Sequence, residues 1–262
     1  MSKILKAVKA GQPIDHIPVI DMHTHTGPSS TFYYIPYHMP EQLLQNSKRF
    51  GIDYLISFPI NVNTDAEYKN RWVQQAWKGC EDQASVLVAM HAAYPQDWLK
   101  ILKQGDKNGT KGIKILAQYQ GVDAKNVDWS EAFQYANDKN WLALAHDWEG
   151  PQKLEYWAKN FTGITFIIGH AELQYAKLVE KYENIYQCTC ASFVRNYFAS
   201  IEEMVKCMPI EKIIHGSDAP DLDLGTSIGP IAYSNIPEKA KEKILGYNAV
   251  DLFKKLGWGF QQ

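Results

Sequence analysis

Eight short apolar runs alternate with amphipathic stretches along this chain, and the alternation restricts its fold more than any single motif does. The apolar runs lie at residues 18–23, 52–58, 85–91, 112–116, 141–146, 164–170, 185–189 and 212–217. Segments with helical periodicity follow them, at residues 40–50, 65–80, 96–105, 129–139, 151–160, 173–182, 198–208 and 237–256. Strands that alternate with helices are typical of a parallel sheet buried on both faces.

Eight such repeats in 262 residues fit a closed barrel better than an open, doubly wound sheet. No Gly-x-Gly-x-x-Gly motif follows the first apolar run, so the main sequence support for a dinucleotide-binding sheet is missing. The sequence also has no low-complexity linker and no break in composition. We therefore predict an α/β fold, a single (β/α)8 TIM barrel in which residues 1–262 form one domain.

The charge balance and the cysteines indicate the class of partner and the compartment. A formal net charge of −2 gives no support for binding to nucleic acid or to an anionic membrane surface, so we expect a small-molecule substrate. No apolar run has the length of a membrane span, and the first residues lack the pattern of a signal peptide. A homo-oligomer is possible. We expect a cytoplasmic protein whose cysteines are reduced and mostly buried: Cys80, Cys188, Cys190 and Cys207.

The first apolar run ends in a His-x-His motif, His23-Thr24-His25. Side chains at positions i and i+2 of a strand point to the same face, so the two imidazoles lie together. Such a pair can begin a transition-metal site, although two polar side chains that cap a strand end would give the same motif.

Other strands also end in imidazole or carboxylate groups. His146 ends the fifth predicted strand, His170 ends the sixth, and Asp218 follows the eighth. Active groups of TIM barrels lie at the carboxyl ends of the strands, so these side chains and the His-x-His motif are expected at one end of the barrel. This arrangement favours a metal site over capping.

The remaining histidines have weaker support. His215 is out of phase with Asp218 and is expected to face the helices, in a structural role. His16 and His38 lie in loop-like segments, and His91 ends the third predicted strand without a partner motif. For His91 we favour a structural or supporting role over a place in the pocket.

Lys114 lies in the apolar run Gly112-Ile113-Lys114-Ile115-Leu116. A buried ammonium group is costly unless it is paired. Lys114 could form a structural ion pair, anchor a substrate, or be carboxylated to bridge two metal ions. Because the sequence shows no second set of metal ligands, we favour the anchor or the ion pair.

These segments together resemble the amidohydrolase superfamily, in the branch called amidohydrolase family 2, which comprises metal-dependent TIM-barrel hydrolases and decarboxylases. The matching segments occur in the family's order over nearly the whole chain: Asp21-Met22-His23-Thr24-His25, Gly112-Ile113-Lys114-Ile115, Ala145-His146, Ile168-Gly169-His170, His215-Gly216-Ser217-Asp218-Ala219-Pro220 and Ile244-Leu245-Gly246-Tyr247-Asn248-Ala249.

The resemblance implies one divalent metal ion, most often Zn²⁺ with Mn²⁺ or Fe²⁺ as alternatives, held by four ligands: His23, His25, His146 and Asp218. It also implies that Asp218 takes a proton from a water molecule while His170 orients that water or stabilises a developing oxyanion. Hydrolysis of an ester, lactone or amide in a small cyclic or carboxylate-bearing substrate would follow. Many family members carry a histidine where this chain has Leu116, so substrate contacts near that strand are not carried over.

Two alternatives stay open. The branch also contains non-oxidative decarboxylases of aromatic or dienoic acids, and Arg195 is the best-placed arginine to hold a substrate carboxylate. Tyr119 and Trp148 are further candidates for substrate contacts, although most aromatic residues serve in packing. The second alternative is a catalytically silent barrel that binds a ligand and keeps the metal for stability; a full ligand set with His170 still present argues against it.

Overall fold

The predicted apolar runs form parallel strands in the computed structural model, which describes residues 2–27, 39–60, 65–194 and 197–259. The strands are β1 Ile20–Thr26, β2 Tyr54–Pro59, β3 Ala84–Val86, β4 Val88–Met90, β5 Gly112–Ile115, β6 Leu142–Ala145, β7 Thr165–Ile168, β8 Ile185–Cys188 and β9 Ile213–Ile214. Neighbours pair in chain order and in parallel, in the sheets β1-β2-β3 and β4 to β9.

Backbone hydrogen bonds join these two sheets into a ring. Leu87 separates β3 from β4, and its amide donates to the carbonyl of Ser57 over 2.9 Å, so the two short strands are halves of one interrupted strand. At the other junction the Met22 amide donates to the His215 carbonyl over 2.9 Å. The result is the predicted (β/α)8 barrel.

Helices follow the strands and cover the outside of the barrel. They are α1 Lys3–Lys9, α2 Pro40–Phe50, α3 Ala66–Ala76, α4 Trp98–Lys107, α5 Ser130–Asp138, α6 Pro151–Asn160, α7 Ala176–Lys181, α8 Ile201–Cys207, α9 Leu224–Tyr233, α10 Glu238–Glu242 and α11 Asn248–Lys255. No helix in the described ranges is both long and apolar enough to cross a membrane.

Three helical features differ from the sequence prediction. The sequence pattern did not predict α1 or α9, and α9 contains Pro230 as well as two glycines, which obscure a helical pattern. The helix predicted at residues 237–256 is divided by a π-helical turn, Lys243–Tyr247. Within that turn Gly246 lies so close to the Pro18 carbonyl that a Cβ atom would collide with it, so the wider turn fits the helix against the chain before β1.

The core has an outer and an inner layer. The outer layer lies between strands and helices, where Phe133 packs edge-on against Trp157 and Phe166. The inner layer fills the barrel with side chains from many strands, among them Met22, Ile56, Leu144, Ile167 and Ile214. This inner packing closes the bottom of the barrel, so polar groups can gather only near the carboxyl ends of the strands.

Candidate metal centre

Four predicted ligands converge at the carboxyl end of the barrel. His23 and His25 lie on β1, His146 directly follows β6, and Asp218 lies in the segment after β9. One ligand atom from each of the four lies within 4.8 Å of the others, and all four residues are buried. The structure therefore brings together groups that are up to 195 residues apart in the sequence.

The hydrogen bond of His23 fixes which nitrogen can bind a metal. Its Nδ1 lies 3.1 Å from the carbonyl oxygen of Gly169, and because a carbonyl can only accept, Nδ1 carries the hydrogen. Burial lowers the pKa of His23 to about 3, so the ring is neutral and Nε2 holds a lone pair. This is the tautomer of a metal ligand whose other nitrogen is held by a supporting group.

Asp218 lies between the two histidines of β1. Its Oδ1 is 3.0 Å from His23 Nε2 and 2.9 Å from His25 Nε2, and its amide donates to the His23 carbonyl over 2.8 Å. Asp218 adopts a φ of +66°, a left-handed conformation that Asp tolerates better than most residues.

His146 and His170 form the other side of the cluster. Their rings stack with centroids 4.3 Å apart, and His146 Nδ1 lies 3.3 Å from the hydroxyl of Tyr119. His170 Nε2 is 3.8 Å from Asp218 Oδ2, beyond hydrogen-bond range. Burial lowers the pKa of His170 to about 4, so this ring is also neutral at pH 7.

The donor set fits a divalent transition metal. His25 Nδ1, His146 Nε2 and His170 Nε2 are buried without a hydrogen-bond partner among the described residues. The lone pair of His23 Nε2 faces the Asp218 carboxylate at 3.0 Å, an unfavourable contact unless a cation lies against both atoms. Neutral imidazoles with one carboxylate are ligands that Zn²⁺, Mn²⁺ and Fe²⁺ accept.

Lys114 lies inside this cluster. Its Nζ is 3.2 Å from His23 Nε2 and 4.4 Å from the centroid of the Phe58 ring. The side chain is fully buried, and burial lowers the pKa of its ammonium group to about 7. Lys114 therefore lies beside a proposed metal ligand, and its role as a substrate anchor stays a prediction.

The other predicted substrate contacts have different surroundings. Tyr119 meets the site through its contact with His146. Trp148 is 4% exposed, donates from Nε1 to the Ile167 carbonyl over 3.0 Å, and packs against Phe166. This environment belongs to the outer core and favours packing over a substrate contact. Arg195 lies outside the described residues.

His215, His91 and His16 are not members of the cluster. His215 is fully buried with no coulombic partner from the cluster, and burial alone lowers its pKa to about 3. His91 accepts from the Ala93 amide over 3.2 Å and contacts the Tyr94 ring, whereas His16 is exposed. His38 lies outside the described ranges.

Sequence reasoning missed two residues of this site. Asp21 is fully buried, and its Oδ1 accepts from the amides of His23 and Ser217, both over 3.0 Å. A carboxylate inside an apolar strand was a signal that could have identified it. Cys190 was predicted only as a buried thiol, yet its sulfur lies within 4.8 Å of ligand atoms of His23, His170 and Asp218.

Known proteins resemble this chain in two ways, through a family model and through the fold. The model of amidohydrolase family 2, described as amidohydrolase, matches residues 20–255. A search of curated proteins finds no match.

Solved structures share the fold at low sequence identity. An uncharacterised TIM-barrel protein from Bordetella bronchiseptica is 13% identical, with a TM-score of 0.73 over 92% of this chain and 100% of its own. The 5-carboxyvanillate decarboxylase of Novosphingobium aromaticivorans, complexed with manganese and a nitrobenzoic acid, is 11% identical, with a TM-score of 0.67 over 91% and 96%. A probable 2-pyrone-4,6-dicarboxylic acid hydrolase from Acinetobacter baumannii, with citric acid bound, is 13% identical, with a TM-score of 0.66 over 91% and 100%.

Proposed function

Because this chain belongs to amidohydrolase family 2, whose model matches residues 20–255, we propose that it is a metal-dependent hydrolase. The substrate would be a small molecule, cyclic or carboxylate-bearing, with an ester, lactone or amide bond. The observation that carries the proposal is the position of Asp218 between the two histidines of β1 and His170. Its Oδ1 contacts His23 and His25, while its Oδ2 faces His170 at 3.8 Å.

The proposed metal ligands are His23, His25, His146 and Asp218. A divalent ion held there would supply Lewis acidity, which lowers the pKa of water and polarises a carbonyl group. We propose Zn²⁺ as the resident ion, with Mn²⁺ and Fe²⁺ as alternatives that the same nitrogen and oxygen donors accept.

The chain's own residues would handle the proton and orient the reactants. Asp218 is ionised at neutral pH, and its Oδ2 makes no contact shorter than 3.8 Å with the neighbouring His170, so this oxygen can accept a proton. His170 is neutral and can receive that proton or donate a hydrogen bond to an oxygen that gains negative charge. Lys114 is placed to bind a substrate carboxylate or carbonyl oxygen.

Decarboxylation is a second candidate function. The manganese-bound 5-carboxyvanillate decarboxylase has the same fold, and an imidazole beside Asp218 can relay a proton from water to carbon, since one ring nitrogen receives a proton as the other gives one up. In that reaction Lys114 would contact the substrate carboxylate, and no water would add to the product.

Isotope labelling separates the two reactions. Metal-stripped protein is reloaded with Zn²⁺ or Mn²⁺ and given a panel of dicarboxylated lactones, aryl esters and hydroxybenzoates in H₂¹⁸O. Hydrolysis puts ¹⁸O into a product carboxylate, whereas decarboxylation releases CO₂ and leaves a product one carboxyl group smaller.

Variants test the residues assigned to the chemistry. We expect His170→Gln to lower kcat by about 10²–10⁴-fold, and Asp218→Asn to lower both kcat and metal content. His16→Gln, at an exposed position, is the matched control and should match the wild type. Turnover that persists in Asp218→Asn at the wild-type rate would contradict the proposal.

A further inference from the structure

Cys190 contributes a thiol to the cluster that the proposed function does not use. It lies two residues beyond the end of β8 and is fully buried. Its Sγ and ligand atoms of His23, His170 and Asp218 lie within 4.8 Å of one another. We propose that Cys190 is a thiolate ligand of the metal centre, an inference that rests on the proposed metal-dependent function.

The two ligand sets overlap in a way that gives the ion two positions. His23 and Asp218 belong to both sets, whereas His25 and His146 complete one and His170 and Cys190 complete the other. Each carboxylate oxygen of Asp218 faces a different ligand set: Oδ1 contacts His25 at 2.9 Å, and Oδ2 faces His170 at 3.8 Å. An ion on the Oδ2 side would have two imidazoles, one carboxylate and one thiolate.

The Nε2 atom of His170, which lacks a hydrogen-bond partner among the described residues, supports this second position. Its Nε2 is buried and has no hydrogen-bond partner among the described residues, although it faces Asp218. A buried polar nitrogen without a partner is unfavourable, and a metal ion would satisfy it. With the ion at this second position His170 would be a ligand. With the ion held by His25 and His146, His170 would instead exchange protons.

The neighbouring Cys188 has different surroundings and serves as a reference. Its Sγ lies in the space that a Cβ atom at Gly216 would occupy, and it accepts from the Cys190 amide at 3.5 Å. Cys188 thus fills the packing between β8 and the chain after β9. Both cysteines are fully buried, so burial alone does not explain why only Cys190 faces the imidazoles.

A thiolate changes which metal the site prefers. Soft sulfur ligands favour Zn²⁺, Fe²⁺ and Co²⁺, whereas Mn²⁺ prefers oxygen and nitrogen. We expect Cys190→Ser to weaken Zn²⁺ binding by about tenfold or more and to leave Mn²⁺ binding nearly unchanged. The ratio of the two dissociation constants therefore reports on the sulfur ligand without any activity measurement.

Cobalt substitution tests the bond directly. Metal-free protein is loaded with Co²⁺, the bound metal is measured by elemental mass spectrometry, and the absorption spectrum is recorded. Visible d–d bands report bound Co²⁺, and a near-ultraviolet charge-transfer band reports a sulfur ligand. We expect the charge-transfer band in the wild type, in Cys188→Ser and in Cys207→Ser, and its loss in Cys190→Ser while the d–d bands remain.

The other outcomes would overturn either the thiolate ligand alone or the proposed function as well. Bound Co²⁺ with d–d bands and no charge-transfer band in the wild type overturns the thiolate ligand and leaves the proposed function intact. A band that disappears in Cys188→Ser and persists in Cys190→Ser also overturns it. Failure of the wild type to bind any Co²⁺, Zn²⁺ or Mn²⁺ overturns the proposed function together with this inference. The wild-type spectrum decides the question even if Cys190→Ser does not fold.

Discussion

The Nδ1–H of His23 donates to the Gly169 carbonyl over 3.1 Å, although the two residues are 146 positions apart. This bond leaves His23 Nε2 with its lone pair directed at Asp218. The backbone carbonyl of Gly169, just after β7, therefore determines which nitrogen of His23 carries the hydrogen. Because Gly169 has no side chain, its carbonyl and the imidazole can approach each other this closely.

Gly169→Ala should therefore disturb the metal site. The new Cβ would lie 2.7 Å from the Ala145 carbonyl oxygen and 3.2 Å from His23 Cε1, so the ring and the end of β6 must move. We expect a loss of stability of about 1–3 kcal/mol and at least about tenfold weaker metal binding. Urea unfolding and metal titration measure the two effects.

Gly229→Ala is the matched control for this substitution. A Cβ at Gly229, on α9, would meet nothing within 4 Å outside its chain neighbours, although Pro230 follows and disfavours the helical conformation of a preceding residue that has a Cβ. We therefore expect no gain in stability from the control, and normal metal binding. Equal metal affinity in the two alanine variants would contradict the role assigned to Gly169.

Metal removal should lower the melting temperature. An ion that binds only the folded chain stabilises it by about 2.7 kcal/mol at a hundredfold excess over its dissociation constant, equivalent to roughly 5–10 °C for a chain of this size. Thermal melts with Zn²⁺, Mn²⁺ or a chelator measure this shift. His23→Ala and Asp218→Asn should lose it, while His16→Ala should keep it; a shift retained in Asp218→Asn would show that the ion binds elsewhere.

His215 should make the protein sensitive to acid. Both of its ring nitrogens are buried without a hydrogen-bond partner among the described residues, and burial lowers its pKa from 6.5 to about 3. As the pH falls below 6.5 the unfolded chain binds a proton at this position and the folded chain does not, so stability decreases until about pH 3. Between pH 7.5 and pH 5 this histidine should account for about 2 kcal/mol of the loss.

His215→Leu should remove that part of the pH dependence. The variant replaces a buried donor that has no acceptor with an apolar side chain, so we also expect a gain of about 1 kcal/mol at neutral pH. Urea unfolding of both proteins at pH 5 and pH 7.5, in the presence of chelator, tests the expectation. Identical pH slopes would mean that the ring finds a partner or is protonated when folded.

Asp21 should hold the two ligand-bearing segments in register. Its Oδ1 accepts from the amide of His23 on β1 and from the amide of Ser217, which precedes Asp218. Asp21→Ala would leave two buried amides without an acceptor. We expect the free energy of unfolding to decrease by about 2 kcal/mol or more, and metal binding to weaken roughly 10–100-fold. Asp21→Asn keeps the accepting oxygen and should lose less of both.

Asp53→Ala provides the comparison for Asp21. Asp53 also accepts from one backbone amide of the same region, that of Val19, over 2.9 Å, but it lies at the opposite end of β1 from the histidines. This variant should lose some stability and bind metal normally. If Asp53→Ala weakened metal binding as much as Asp21→Ala, general destabilisation would explain both.

The periodic pattern of the sequence was sufficient to predict the barrel because every strand ends where its apolar run ends, to within a few residues. It also placed His23, His25, His146, His170 and Asp218 at one end, since the carboxyl ends of parallel strands meet there. Contacts across the barrel could not be predicted in this way. The sequence pattern does not indicate that Tyr119 reaches His146 or that Cys190 and Cys188, two residues apart, differ in their neighbours.

Three of the proposed metal ligands, His23, His25 and Asp218, lie at the junction between the first and the last strand. Between β1 and the chain after β9, the backbone is joined by a few bonds, among them Asp218 amide to His23 carbonyl at 2.8 Å and the bridge of Thr24 with Ala219. An ion bound by His23 and Asp218 would stabilise the contact between β1 and the chain after β9. Resistance of the N-terminal strand to proteolysis would then depend on metal occupancy, and a nascent chain could acquire its ion only after residue 218 has been synthesised and the barrel has closed.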